Sequence, residues 1–233
     1  MSAVNLSQVD DAEAAFDAHL ASLSDQELRE PSLLPGWTRQ HVLVHVGFNA
    51  NAIGRLADWA FTGEETRMYP SESSRDQEIA AGAAWEPARA REFYHHANAE
   101  LEEKWSRLTD DNWRAQVQTR QGDWVEYRYF AWKRAVELWV HAVDLAAGAG
   151  FESVPPDVLT RVLETIAEGW ESRGLALELP DEWNDSPAVV RSTADNRIVV
   201  TGELADVAGW ATGRGIGNVT SPDGKVPPAP KWL

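Results

Sequence analysis

Apolar side chains recur at steps of three and four through most of the first 150 positions, the spacing that gathers them on one face of an α-helix. Val9, Ala12, Phe16, Leu20 and Leu23 form one such stripe and predict a helix over 7–22. Ser24, with Glu27 three residues later, is a capping box for a short second helix. PSLLPGW reads as a turn, after which Thr38 caps a long helix with apolar Val42, Val46, Ile53 and Leu56, closing near Thr62 and Gly63. TGEETRMYPSESS reads as a surface loop, and Ser74 as the cap of a helix through Ile79. A further helix starts near Glu86 and Pro87 and continues through Phe93, Ala97, Leu101 and Trp105. From DDNW to Tyr129 the pattern is irregular, with weak alternation from Ala115. A strong helix then covers about 130–147, with Gly148 and Gly150 as its terminators. Four long helices predict an antiparallel bundle.

The texture changes around 151–156. One more helix is expected over 157–173, then short β-like runs, LALEL (175–179), AVVRS (188–192) and RIVVTG (197–202), then a helix over 203–212 and a Pro-rich ending, PPAPKWL. The expected fold class is α+β, with a helical domain over 1–150 and a smaller C-terminal α+β domain over 151–233.

Composition narrows the function. With 43% hydrophobic and 25% charged residues over 233 positions, the chain has the makeup of a globular protein with ample core. No apolar run is long enough to span a bilayer, and MSAVNLSQVDD has neither a basic nor an apolar leader region, so a cytoplasmic location is expected. A net charge of −16 opposes nucleic acid and anionic lipid, and neither is expected as a partner. An anionic substrate would need arginines gathered locally against that field. There is no cysteine, which excludes disulfides, cysteine zinc sites and a protein thiol nucleophile. The 12 tryptophans are assigned to packing between helices.

Glu137 and His141 are the first candidates for chemistry. They lie four apart in VELWVHAVDL, so both leave one face of a helix whose neighbours Val136, Leu138, Val140 and Val143 are apolar. Two ligands on one face of a bundle helix can meet a single ion, although a hydrogen-bonded Glu–His pair at a helix interface has the same spacing. A third ligand is available from HVLVHVGFN, where His41 and His45 share one face and the pattern leaves both open. His95 and His96 fall on a polar helix, and His19 on an exposed face. Two histidines and a carboxylate suit catalytic zinc or iron(II) with a coordination position left for water or substrate. The zinc-protease motif HExxH is absent. Arg134, one turn before Glu137, either points at the metal pocket and an anionic substrate or forms a salt bridge on the helix flank. Arg214, between Gly213 and Gly215, either meets a carboxylate or closes a helix C-terminus.

PGWTRQHVLVHV resembles the first metal-binding helix of the mycothiol-dependent maleylpyruvate isomerase family, which belongs to the DinB-like metal-binding bundles. ELWVHAVDLAAG resembles its second metal motif, ATGRG and VTSPDGKVPPAPKWL its C-terminal domain, and TGEETRMY a loop of the isomerases. The resemblance runs from about residue 33 to the last residue. It implies a DinB-like four-helix bundle, with the C-terminal domain completing the active site. It implies one zinc per chain held by His45, Glu137 and His141, which chooses His45 over His41. It places the family's essential arginine at Arg214 and matches a further arginine at Arg134. The implied activity is conversion of maleylpyruvate, a dicarboxylate, to fumarylpyruvate in gentisate degradation. A zinc-activated thiolate of mycothiol adds, the substrate rotates about the resulting single bond, and the thiol is eliminated. Arg214 would hold a substrate carboxylate. Alternatives are a mycothiol S-transferase, a metal-dependent hydrolase and a non-catalytic metal- or ligand-binding module.

Overall fold

The first helix, α1 (Ser7–Ala21), buries Val9, Ala12, Phe16 and Leu20, the stripe its sequence offers. The structure is a computed structural model that describes residues 4, 6–71, 73–171, 173–180, 187–192 and 197–231. The last two residues of the Pro-rich ending, and parts of the N-terminus and of the segments between the C-terminal strands, lie outside the described residues. The chain divides into two units, 1–148 and 149–233.

In the first unit, α2 (Asp25–Leu28) follows α1 and starts on the Ser24–Glu27 capping box. The next helix, α3 (Arg39–Thr62), is capped by Thr38 and ends at Gly63, whose φ of 79° is a left-handed conformation that suits glycine. Then come α4 (Ser74–Ala83), α5 (Pro87–Ser106) with Pro87 in its first turn, α6 (Asp110–Arg114), and a hairpin of β1 (Gln116–Gln118) and β2 (Trp124–Glu126). The last helix of the unit is α7 (Tyr129–Asp144). The irregular stretch of the sequence is thus a capped single-turn helix plus a hairpin.

The bundle is formed by α1, α3, α5 and α7, but its neighbours are not all antiparallel. Gly47 of α3 lies against Phe93 and Tyr94 of α5, where a Cβ would come within 2.6 Å of the Phe93 ring. Further along, Lys104 pairs with Asp58 at 2.6 Å. Both numbers rise together, so α3 and α5 run parallel. By the same reading α1 opposes α5, since Tyr94 reaches Asp17 and Arg91 reaches the Leu20 carbonyl. Likewise α3 opposes α7, since Arg39 reaches Leu145 and Tyr127 reaches Ile53. The antiparallel expectation fails for the α3–α5 pair and, by the same relations, for α1 and α7; parallel neighbours in succession need a connection as long as the helix. Residues 63–86 supply it, carrying α4 back across α3. Gly82 packs on Val44 and Phe48, and Gln40 donates to the carbonyls of Gly82, Ala83 and Trp85 at the end of α4.

Two other boundaries differ from the pattern. Ser74 is the first residue of α4 and not its cap, and its hydroxyl accepts from the Ser71 amide. The last helix stops at Asp144, three residues short of the expected end, and Ala146 adopts a left-handed φ of 50°. The reason is long-range: Arg39 takes the Leu145 and Ala146 carbonyls, and His19 takes that of Ala147. His19 is therefore half-buried at a helix end, not on an open face.

Among the described residues, five tryptophans are buried in packing as expected. Trp59, Trp105 and Trp113 are buried in the bundle, and Trp105 donates to the buried Tyr127 hydroxyl at 2.7 Å, while Trp124 is exposed.

In the second unit, α8 (Pro156–Glu171) buries Val158, Leu159, Val162, Leu163, Ile166 and Trp170. An antiparallel sheet follows in the order β3 (Leu175–Glu178), β4 (Pro187–Ser192), β5 (Arg197–Thr201). The closing helix, α9 (Leu204–Ala211), sets Trp210 edge-on to Trp170. No helix among the described residues is long and apolar enough to cross a membrane.

Candidate metal centre

The antiparallel crossing of α3 and α7 brings His45 opposite Glu137 and His141. The Nε2 atoms of both histidines lie 3.2 Å from the same Oε2 of Glu137. The imidazole centroids are 4.7 Å apart and the rings nearly perpendicular. One ligand atom from each of the three residues falls within 4.8 Å of the others. Both histidines are buried, and the Glu137 side chain keeps 27% of its surface accessible. Trp37, from the PGW turn, packs edge-on against His45.

His41 is set apart by its hydrogen bonds. Its backbone amide donates to the Thr38 hydroxyl, and its Nδ1 receives the Thr38 backbone N–H, which closes a capping box. One histidine of the HVLVH segment thus starts the helix, and the other, one turn on, reaches α7. His95 and His96 are exposed, as expected.

The electrostatics of the cluster suit a cation. Burial pushes the His45 pKa down to about 4, so its imidazole is neutral near pH 7. Burial alone would raise the Glu137 carboxyl, but hydrogen bonds from His141 and His45 more than reverse this and hold it well below its ordinary range. His141 would also be lowered by burial, yet its bonds to Asp144 and Glu137 raise it. The Nδ1–H of His141 donates to the fully buried Asp144 carboxylate at 2.7 Å, which turns Nε2 toward Glu137. Two imidazole nitrogens and a carboxylate oxygen meet at that point, and a divalent cation would take the place of the protons that join them. The donor set fits a divalent ion of the zinc or iron(II) type.

Asp144 was not singled out from sequence, although its place three residues after His141 in HAVD was a readable signal. Arg75, in the first turn of α4, carried no such signal. Its charge reaches both His45 and Tyr69, and Tyr69 also responds to Glu137. The Arg75 side chain is partly exposed and pairs with the solvent-facing Asp76 at 3.0 Å.

Arg134 takes neither of the positions considered for it. It is 1% exposed, and its guanidinium donates to the Val46 carbonyl, the Asn49 side chain and the Asn98 side chain. It faces the bundle interior because the stripe shared with Glu137 points, one turn earlier, at the packed centre of four helices and not at an opening. In the second unit, half-buried Arg214 follows the end of α9, with its amide on the Gly209 carbonyl and its guanidinium on the Thr212 carbonyl.

A helical bundle with an inward His–Glu–His cluster drawn from two opposed helices defines a bundle protein with a candidate catalytic metal centre. Residues 9–146 match the family model described as the mycothiol maleylpyruvate isomerase N-terminal domain, and the chain belongs to this family. It is also similar along most of its length to a solved structure described as a mycothiol-dependent maleylpyruvate isomerase. Identity is 35% and the TM-score 0.87, over 97% of this chain and 95% of the other. A histidine-to-alanine variant of such an isomerase matches with 34% identity, the same TM-score of 0.87 and the same coverage of 97% and 95%. No curated protein gives a significant match.

Proposed function

We propose that the chain is a mycothiol-dependent isomerase that converts maleylpyruvate to fumarylpyruvate, with one zinc ion per chain held by His45, Glu137 and His141. The observation that carries this reading is the convergence of the three donor atoms within 4.8 Å. Membership of the isomerase family and similarity to its solved structures support the substrate and thiol. When bound, such an ion supplies Lewis acidity and lowers the pKa of a thiol beside it. When bound, mycothiol supplies a nucleophile for reversible addition to the cis double bond, a role the cysteine-free chain does not fill itself.

The chain's own residues then have distinct tasks. Neutral His45 and anionic Glu137 present lone pairs without first having to lose a proton near pH 7. Asp144 fixes the tautomer and ring plane of His141. Arg75, partly exposed in the first turn of α4, is assigned as a cation for a substrate carboxylate against the acidic background. Arg214 is assigned to turnover on the resemblance of ATGRG to the family's C-terminal domain.

Metal analysis of the purified protein and of a His45→Ala variant tests the reading. The expected result is about one zinc per wild-type chain, and loss of metal and of maleylpyruvate turnover together in the variant. A variant that kept both would overturn the ligand set.

A further inference from the structure

We propose that Arg134 is a positioning residue: a buried fork that fixes the separation and register of α3 and α7, and so sets how His45 meets Glu137 and His141. The inference rests on the metal reading of the cluster.

Arg134, Glu137 and His141 lie on one stripe of α7, at steps of three and four. One turn before Glu137, the Arg134 Nη1 donates to the Val46 carbonyl at 2.9 Å and to Asn49 Oδ1 at 2.8 Å. Val46 is the residue after His45, and Asn49 is one turn further along α3. The bond therefore joins the two metal-bearing helices immediately beside the point where their ligands converge. The second arm, Nη2, donates to Asn98 Oδ1 and adds α5. Asn49 and Asn98 are themselves buried.

Such a group is expensive to bury. A guanidinium taken out of water loses strong hydration, and a well-packed apolar side chain of similar volume is often no worse for stability. What an apolar side chain lacks is direction. A planar fork with donors at fixed angles accepts one arrangement of its acceptors, whereas hydrocarbon packing tolerates small slides of one helix along another. A metal cluster split between two helices is sensitive to those slides, because a shift of a fraction of a turn moves His45 Nε2 away from Glu137 and His141.

The test compares wild type with Arg134→Met and Arg134→Lys in the full chain, at a temperature where circular dichroism shows each to be folded. Zinc affinity is read by competition with a chromogenic chelator, and ligand geometry by the absorption bands of the cobalt(II)-loaded protein. The expected result is about 10–100-fold weaker zinc binding and altered cobalt bands in Arg134→Met, the range found when groups that orient metal ligands are removed. Partial recovery is expected in Arg134→Lys, whose single ammonium reaches one acceptor at a time. A Leu101→Ala variant controls for instability, with lowered thermal stability but unchanged cobalt bands. If Arg134→Met does not fold, Asn49→Ala and Asn98→Ala remove one side-chain acceptor each, and weaker affinity with shifted bands is again expected. Wild-type affinity and bands in the folded variants would overturn the proposal. Failure of the wild-type chain itself to bind metal would instead overturn the metal reading beneath it.

Discussion

The Nδ1–H of His141 is committed to Asp144, a carboxylate with no exposed surface, at 2.7 Å on the same helix. That bond decides which nitrogen of His141 is free for a cation, and it makes the imidazole a stronger donor. Asp144→Ala is expected to weaken zinc binding about 10–100-fold, with helical content kept, and Asp144→Asn to fall between the two. Chelator competition measures it. Unchanged affinity in Asp144→Ala would remove Asp144 from the site.

Arg75 is the cation of α4 whose charge reaches His45 and Tyr69. Its loss is expected to cost the dicarboxylate a charge-assisted bond of about 1.5–3 kcal/mol, or ~10–100-fold in kcat/KM. Zinc content should stay at the wild-type level. Steady-state kinetics of Arg75→Ala, alongside metal analysis, separates the two effects, and a variant with unaltered kinetics would exclude Arg75 from substrate binding.

Arg214→Ala is expected to keep its metal and to lose turnover. The measurement is zinc content and isomerisation rate on one preparation. Full activity would place Arg214 outside the reaction and leave its hydrogen bond to the Thr212 carbonyl at the end of α9 as its role.

Glu13 gives the bundle a pH dependence. Burial lifts its carboxyl above the ordinary 4.5, and the Arg134 charge offsets this only in part. The folded chain thus holds this proton more tightly than the unfolded chain. Its contribution to stability is fully present below 4.5 and is lost as pH rises through the raised folded value. Glu13→Gln, which mimics the protonated acid, should raise the Tm of the metal-free protein at pH 7, with the gain shrinking toward pH 4. Equal Tm differences at both pH values would contradict this.

Local features of this fold were readable in the sequence because they depend on neighbours along the chain. The Ser24–Glu27 box, the Thr38 cap of α3 and the shared face of Glu137 and His141 are all of this kind. What was not readable depends on partners far away. His41 and His45 occupy one face, and only the capping bonds of His41 to Thr38 tell them apart by structure. The end of α7 is set by Arg39 and His19 reaching in from other helices, not by Gly148. The stripe of Arg134 could be read, but whether it faced an opening or the core depended on where α3 and α5 lay. The parallel run of α3 and α5 follows from a connection whose path no periodicity encodes.

On the proposed function, the metal cluster serves a reaction in which the thiol is returned unchanged. The most direct measurement supplies the zinc-loaded protein with excess maleylpyruvate and a small, known amount of mycothiol, and follows both fumarylpyruvate and free thiol. Many product molecules per thiol, with the thiol recovered in full and no product when it is omitted, is the predicted result. Product formed at the same rate without thiol, thiol consumed one for one, or no product at all would contradict it.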